Sequence, residues 1–223
     1  MPTQTFLNLP EPKRRRFIEV AIEEFANHHY RSASISRLVA KAGIAKGSFY
    51  QYFHNKKELY LYLIELALRE KLDFLSRYQQ QASHKGFFAA LHSLLQANAA
   101  FDLALPRLSR LISRALSGDL PYKHEIIRRV KEMVLQRAQN LVKEAVARGD
   151  LRPDLDQDLA AFVITVLANE FGGYLAQRLQ LEGHDVPPGQ NPPELTQEKG
   201  QRLFHQLIDL LQYGMGARAV AQG

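Results

Sequence analysis

No cysteine occurs in the 223 residues of this chain, so neither a disulfide framework nor a thiolate metal site is possible. An intracellular compartment fits that absence. The opening MPTQTFLNLP lacks a basic segment followed by an apolar one, and no signal peptide is expected. The longest apolar run, Leu159 to Ala168, is about half of the ~20 residues a bilayer span requires. A cytoplasmic protein with no membrane partner is the expectation. Catalytic signatures are missing as well: there is no zinc signature of two histidines on one helix face and no phosphate loop. GMGARA, near the C-terminus, copies part of a dinucleotide fingerprint, but no strand precedes it. His28 and His29 are sequence neighbours, so on a helix they point ~100° apart, and no carboxylate spacing supports them as metal ligands. The reading is therefore of a protein with no cofactor, no metal and no enzymatic activity.

What is present is an ordinary globular balance, 46% hydrophobic and 23% charged, with an uneven distribution of charge. Residues 1–57 hold ten Lys/Arg and four Asp/Glu, which accounts for the whole formal net charge of +6, while the remainder of the chain is neutral. A basic head on an electrically neutral body implies a polyanionic partner for the head.

The organising stretch is SISRLVAKAGIAKGSFYQYF, Ser34 to Phe53. Ile35, Leu38, Val39 and Ala42 keep helical spacing up to Gly43, a residue that adopts the left-handed conformation after a helix at no steric cost. Ile44 plugs the turn. A second helix then carries Ala45, Phe49 and Phe53 on one face and Gly47, Ser48 and Gln51 on the other. This is helix, turn, helix. Lys46 lies in the first turn of the second helix, and Lys56 and Lys57 open the next one after Asn55, its expected N-cap, where the helix dipole is already positive. Each such cation costs roughly 0.3–1 kcal/mol unless an anion meets it, and helix N-termini are ready phosphate sites. Lys13-Arg14-Arg15-Arg16 adds a cationic cluster at the entry of the preceding helix, Pro12 to Asn27, whose apolar stripe is Ile18, Ala21, Ile22 and Phe25. Residues 1–10 read as a flexible arm.

The run FANHHYRSASISRLVAKAGIAKGSFYQYFHNKKELY resembles the DNA-binding domain of the TetR family of bacterial transcription regulators. The similarity lies in phenylalanine-alanine ending the first helix, tyrosine at the turn, alanine-glycine-isoleucine between the next two helices, and lysine-glycine-serine-aromatic-tyrosine opening the recognition helix. Two departures are His29, where the family usually has glycine, and Ala45, where it usually has a serine or threonine cap; the second costs about 1 kcal/mol. The resemblance implies that Ser36, Arg37, Lys46, Gly47, Ser48 and Gln51 face the major groove. It implies that Tyr50, Tyr52 and Lys56 meet phosphates, and Ser34, the cap of its helix, belongs with the same DNA-binding set. Gln51 is the candidate base reader, because its amide matches the N6 and N7 edge of adenine.

The expected fold is all-α: an N-terminal three-helix helix-turn-helix domain, residues 1–57, and a C-terminal helical-bundle effector and dimerisation domain, residues 58–223. A long helix from Asn55 to about Ala82 opens with the capping box Asn55-x-x-Glu58 and links the two. Helices follow at 83–105, 106–116 and, opened by Pro121, up to Arg148. The next, capped by Asp154 or Asp156, is apolar nearly all round, and Gly172-Gly173 inside it implies that something approaches closely there. A breaker-rich loop, His184 to Pro193, leads to a last helix, Thr196 to about Tyr213. The resemblance implies a homodimer made by these last two helices, with Phe162, Val166, Gly173, Leu203, Leu207, Leu210 and Leu211 as interface candidates. Phe74, Tyr78, Phe88, Phe101, Met133, Gln136, Glu170 and Tyr174 are candidates to line a pocket for a small hydrophobic effector.

The resulting expectation is a dimeric, ligand-responsive repressor on a near-palindromic double-stranded DNA operator. The competing reading is a nonspecific DNA-binding or nucleoid-type protein without an effector.

Overall fold

The structure, a computed structural model, describes residues 2–79, 86–117, 125–179 and 198–215. Pro121, the loop 184–193 and the Tyr78 side chain lie outside the described residues. Every regular element among the described residues is helical: α1 (Gln4–Leu7), α2 (Glu11–Asn27), α3 (Ile35–Ala42), α4 (Lys46–Tyr52), α5 (Lys56–Gln79), α6 (Phe87–Ala104), α7 (Pro106–Leu116), α8 (Glu125–Arg148), α9 (Gln157–Arg178) and α10 (Glu198–Met215). The chain separates into two compact units, Met1–Leu72 with Arg107–Ile127, and Asp73–Pro106 with Arg128–Gly223. Their division falls inside α5 and assigns α7 to the first unit.

Short polar side chains set four of the described helix starts, those of α1, α3, α5 and α9, by taking up N–H groups that have no partner within the helix. Ser34 Oγ accepts from Arg37 N at 3.3 Å, and Asp156 Oδ1 accepts from Asp158 N and Leu159 N at 3.0 Å each. Asn55 Oδ1 accepts from Glu58 N at 2.9 Å, while Glu58 Oε2 reaches back to His54 N at 3.1 Å, one residue beyond a standard capping box. The start of α6 has no local cap, and Asp150 provides one from a distant loop: its Oδ2 accepts from Phe87 N at 3.2 Å.

In the first unit the buried face of α2 is Phe17, Val20, Ala21, Glu24, Phe25 and Ala26. Ile18 and Ile22, expected on that face, are half-buried. The face is rotated because a second layer covers it: the segment read as an arm contains α1, whose Phe6 is wholly buried. Its ring centroid lies 5.5 Å from Phe17, 5.8 Å from Tyr52, 4.9 Å from Phe53 and 5.9 Å from Tyr62. Burying a phenylalanine stabilises by about 1.5–3 kcal/mol, enough to order a segment that lacks helical periodicity of its own. A second aromatic group, Phe25, Tyr30 and Tyr60, closes the other end of α2.

The second unit is built on α6 lying against α9, with α10 also on α6. Phe87, Leu91, Leu95, Ala99 and Ala100 meet Ala160, Ala161, Ile164, Phe171 and Leu175, with Ala138, Val142 and Ala145 of α8 and Phe204 of α10 completing the core. The alanines of α6 let the helices come close. At Gly172 the approach is so tight that an added Cβ would sit 2.2 Å from Asp102 Oδ2, whereas at Gly173 it would meet nothing within 4 Å. Among the described residues, α9 alone is long and apolar enough to cross a membrane by length and composition, yet 33% of that stretch is buried within the unit.

Candidate nucleic-acid interface

The turn between α3 and α4 is held by backbone. Gly43 takes φ 70° and ψ 33°, and its N–H and that of Ile44 return to the carbonyls of Ala40 and Val39. At φ 70° a side chain would be strained. Ala45 caps α4 without a side-chain hydrogen bond.

Phe49, Tyr52 and Phe53 anchor α4 from beneath, at 0%, 4% and 0% exposure. The outward side carries Lys46, Gly47, Tyr50 and Gln51, all exposed, with Ser48 half-buried at its edge. Positions 46, 47, 50 and 51 fall on one helical face. A Cβ on Gly47 would touch nothing within 4 Å, so the protein's own packing does not require glycine there. Tyr52 and Tyr50, paired in the sequence reading, have different surroundings: Tyr50 is 52% exposed, while the Tyr52 ring packs between Phe6 and Phe17.

On α3, Ser36 and Arg37 are exposed, but the Arg37 guanidinium is engaged from below. Its Nε donates to Glu24 Oε2 at 2.8 Å and to Oε1 at 3.1 Å, and its Nη2 also donates to Oε1. Glu24 is a buried carboxylate, 7% exposed. It also accepts the Ser34 backbone N–H at 2.8 Å and has His28 Nδ1 at 3.6 Å. Burial pushes its pKa up, but the Arg37 and Ser34 hydrogen bonds and the charge of Arg37 outweigh that, leaving it below the usual carboxylate value. Glu24 thus ties α2 to the start of α3, and Lys41 ties the other end of α3 to Glu23.

Lys56 is also engaged within the fold. Its Nζ donates to the carbonyls of Ala33 at 2.9 Å and Arg31 at 3.3 Å and stands 4.8 Å over the Tyr30 ring. Burial lowers its pKa, partly offset by Glu24. In the cluster 13–16, Arg14 Nη1 donates to Leu7 O at 2.7 Å and Arg15 pairs with Glu11; Lys13 and Arg16 are exposed. Sequence reasoning missed Glu24 and Phe6. Glu24 shares the period of Val20, Ala21 and Phe25, which was a usable sign of burial, whereas lone Phe6 gave no periodic signal.

The residues matching the helix-turn-helix pattern lie within a family model. Residues 17–63 match the model for bacterial regulatory proteins of the tetR family, and residues 85–216 match that of a tetracyclin repressor-like C-terminal domain. The chain belongs to the TetR family. It is a DNA-binding transcription regulator of that family, with the helix-turn-helix head and helical C-terminal domain typical of it. A TetR family transcriptional regulator from Chloroflexus aurantiacus J-10-fl is similar along its whole length: 41% identity, a TM-score of 0.80, and coverage of 98% of this chain and 100% of that one. The HTH-type transcriptional repressor KstR2 of Mycolicibacterium smegmatis is 29% identical over 162 residues, 67% of this chain and 73% of that protein. The fatty acid metabolism regulator protein of Bacillus subtilis is 27% identical over 157 residues, 69% of this chain and 78% of that protein.

Of the effector candidates, Phe74 and Phe101 meet edge to face at 5.6 Å, with Phe101 fully buried, and Phe88 packs on Phe87 at 5.2 Å. Met133, Gln136, Glu170 and Tyr174 are exposed in the single chain. Of the interface candidates, Phe162 is 58%, Val166 40% and Leu210 73% exposed; Gly173 is exposed too. Leu203, Leu207 and Leu211 are half-buried against the core, because they share the side of α10 that carries Phe204. Among the described residues no group of three His, Cys, Asp or Glu side chains is placed to hold a metal ion.

Proposed function

We propose that the protein is a cytoplasmic, effector-released repressor that binds a near-palindromic operator as a homodimer. Residues 1–57 read the DNA, and residues 58–223 carry the effector and dimer contacts. The observation that carries this reading is the outward side of α4, where Lys46, Gly47, Tyr50 and Gln51 are exposed above an aromatic anchor. Gln51 reads a base, Gly47 lets the backbone approach, and Ser36 and Ser48 lie at the groove edge. Lys46 and Tyr50 meet phosphates, while Arg37, Ser34, Tyr52 and Lys56 act from the supporting side.

Dimerisation is supported by a stripe of exposed apolar residues on α9, Leu159, Phe162 and Val166, continued by exposed Gly173 and Tyr174, and by Leu210 and Tyr213 on α10. Such a face is covered when two copies pair into a four-helix bundle. Two recognition helices then stand about one duplex turn, roughly 34–36 Å, or somewhat more apart. The effector is a small, largely hydrophobic molecule bound near Phe74, Phe88 and Phe101. A relative named for fatty acid metabolism supports that class.

The test is selection of binding sites from random duplex, followed by titration of fatty acyl and steroid compounds against the preformed complex. The reading requires a palindromic consensus, a steep loss of affinity with salt, and release by at least one compound. Binding to scrambled duplex as tight as to selected duplex would favour the nucleoid-type alternative.

A further inference from the structure

The recognition helix does not secure its own ends. It has seven residues, well short of the roughly 12–15 at which an isolated helix becomes even marginal in water. Its N-terminus lacks a side-chain cap, and no basic residue stands in its last turn to meet the carbonyls there. Its order comes from outside.

At its C-terminal end that support is Thr3. The Thr3 hydroxyl donates to Gln51 O at 2.6 Å, and the Thr3 backbone N–H donates to Tyr52 O at 3.0 Å. The same hydroxyl accepts from Phe6 N at 3.4 Å, so Thr3 also caps α1. One side chain thus uses both its donor and its acceptor capacity, a combination open to serine and threonine and closed to valine. Three residues on, Phe6 inserts among Phe17 of α2, Tyr52 of α4, and Phe53 and Tyr62. At the far end Arg14 Nη1 donates to Leu7 O. Residues 3–7 therefore join the end of the recognition helix to α2 and α5 within the first unit.

We propose that residues 3–7 are a positioning strap for the recognition helix: Thr3 and Phe6 fix the last turn of α4 and so set the direction in which Gln51 presents its amide to a base. Thr3 acts through the backbone of Gln51 itself and touches no DNA. The inference rests on the reading that α4 enters the major groove. Recognition by a bidentate amide depends on orientation, so a looser last turn lowers specific affinity without removing a phosphate contact.

The experiment uses the full chain and its selected operator, with Thr3→Val, Thr3→Ser and Phe6→Leu. Operator affinity is measured by anisotropy over a range of salt, at a temperature where each variant is fully folded. Thr3→Val is expected to bind about three- to ten-fold more weakly per head, the worth of one side chain–backbone hydrogen bond. Its slope of log affinity against log salt stays that of wild type, and Thr3→Ser recovers wild-type binding. Amide exchange in α4 speeds up in Thr3→Val while that of α2 does not. Phe6→Leu, which keeps apolar volume, weakens binding in the same sense with the slope unchanged. Thr3→Val binding within two-fold of wild type overturns the proposal. So does a reduced salt slope, which would make the segment a direct phosphate contact. If wild type selects no duplex at all, the groove reading fails instead, and that outcome is distinct from either.

Discussion

Gly172 and Gly173 stand side by side on α9, and the structure assigns them opposite tolerances. An alanine Cβ at position 172 would lie 2.2 Å from Asp102 Oδ2 and 2.9 Å from both Asp102 Cβ and Cγ. The carboxylate could rotate away, but Cβ is fixed to the α6 backbone, so α6 and α9 must separate. Overpacking of this kind costs roughly 1–3 kcal/mol, and three short contacts favour the upper part of that range. Replacing a helical glycine by alanine returns about 1 kcal/mol, leaving Gly172→Ala destabilised by about 2 kcal/mol. Within its own chain position 173 has nothing within 4 Å, so in a monomeric background such as Phe162→Asp, where no partner helix covers it, Gly173→Ala keeps the propensity gain and is stabilised by up to about 1 kcal/mol. Urea denaturation at one fixed protein concentration measures both, the concentration being held because dimerisation contributes to apparent stability. The double variant Gly172→Ala/Asp102→Gly removes the clash, and a cycle with the two single variants should give a favourable coupling of at least ~1 kcal/mol. A Gly172→Ala protein as stable as wild type, or a cycle without coupling, would refute the close-approach argument.

Glu24→Gln should cost about 1–3 kcal/mol at neutral pH, because charge-assisted hydrogen bonds to Arg37 and Ser34 are weakened. The folded pKa of Glu24 lies below its ordinary 4.5, so its contribution is complete above that value and lost as pH falls through the folded pKa. The gap between wild type and variant in urea should close toward pH 3, and a gap constant from pH 7 to pH 3 would refute the assignment. Lys46→Ala should reduce the salt slope of operator binding by about one per head, while Gln51→Ala should leave the slope unchanged and relax preference at one base pair per half-site by about 1–3 kcal/mol. Phe162→Asp on the exposed face of α9 should yield a monomer in sedimentation and weaken operator binding, and a variant that stays dimeric would remove α9 from the interface.

Local chemistry made much of this protein legible before its structure. The turn at Gly43, the caps at Ser34, Asn55 and Asp156, and the anchoring of the recognition helix by Phe49 and Phe53 depend on residues at most a few positions apart, and helical periodicity reports those directly, although Ala45, read on the anchored face, is exposed and Ser48, read on the free face, is half-buried. The close approach at Gly172-Gly173 was visible too, since two glycines inside an apolar helix are unfavourable without a reason. Which of the two is needed, and that Asp102 is the neighbour, depended on how α6 lies against α9. Thr3 reaching the end of α4, Phe6 filling a cluster drawn from three helices, and Arg37 and Lys56 bound within the fold were likewise decided by tertiary contacts between residues 11 to 56 positions apart. Periodicity carries information about the neighbours a residue has along its own helix. It carries none about which distant carboxylate or carbonyl will satisfy a long cationic side chain, and for that the packed structure was required.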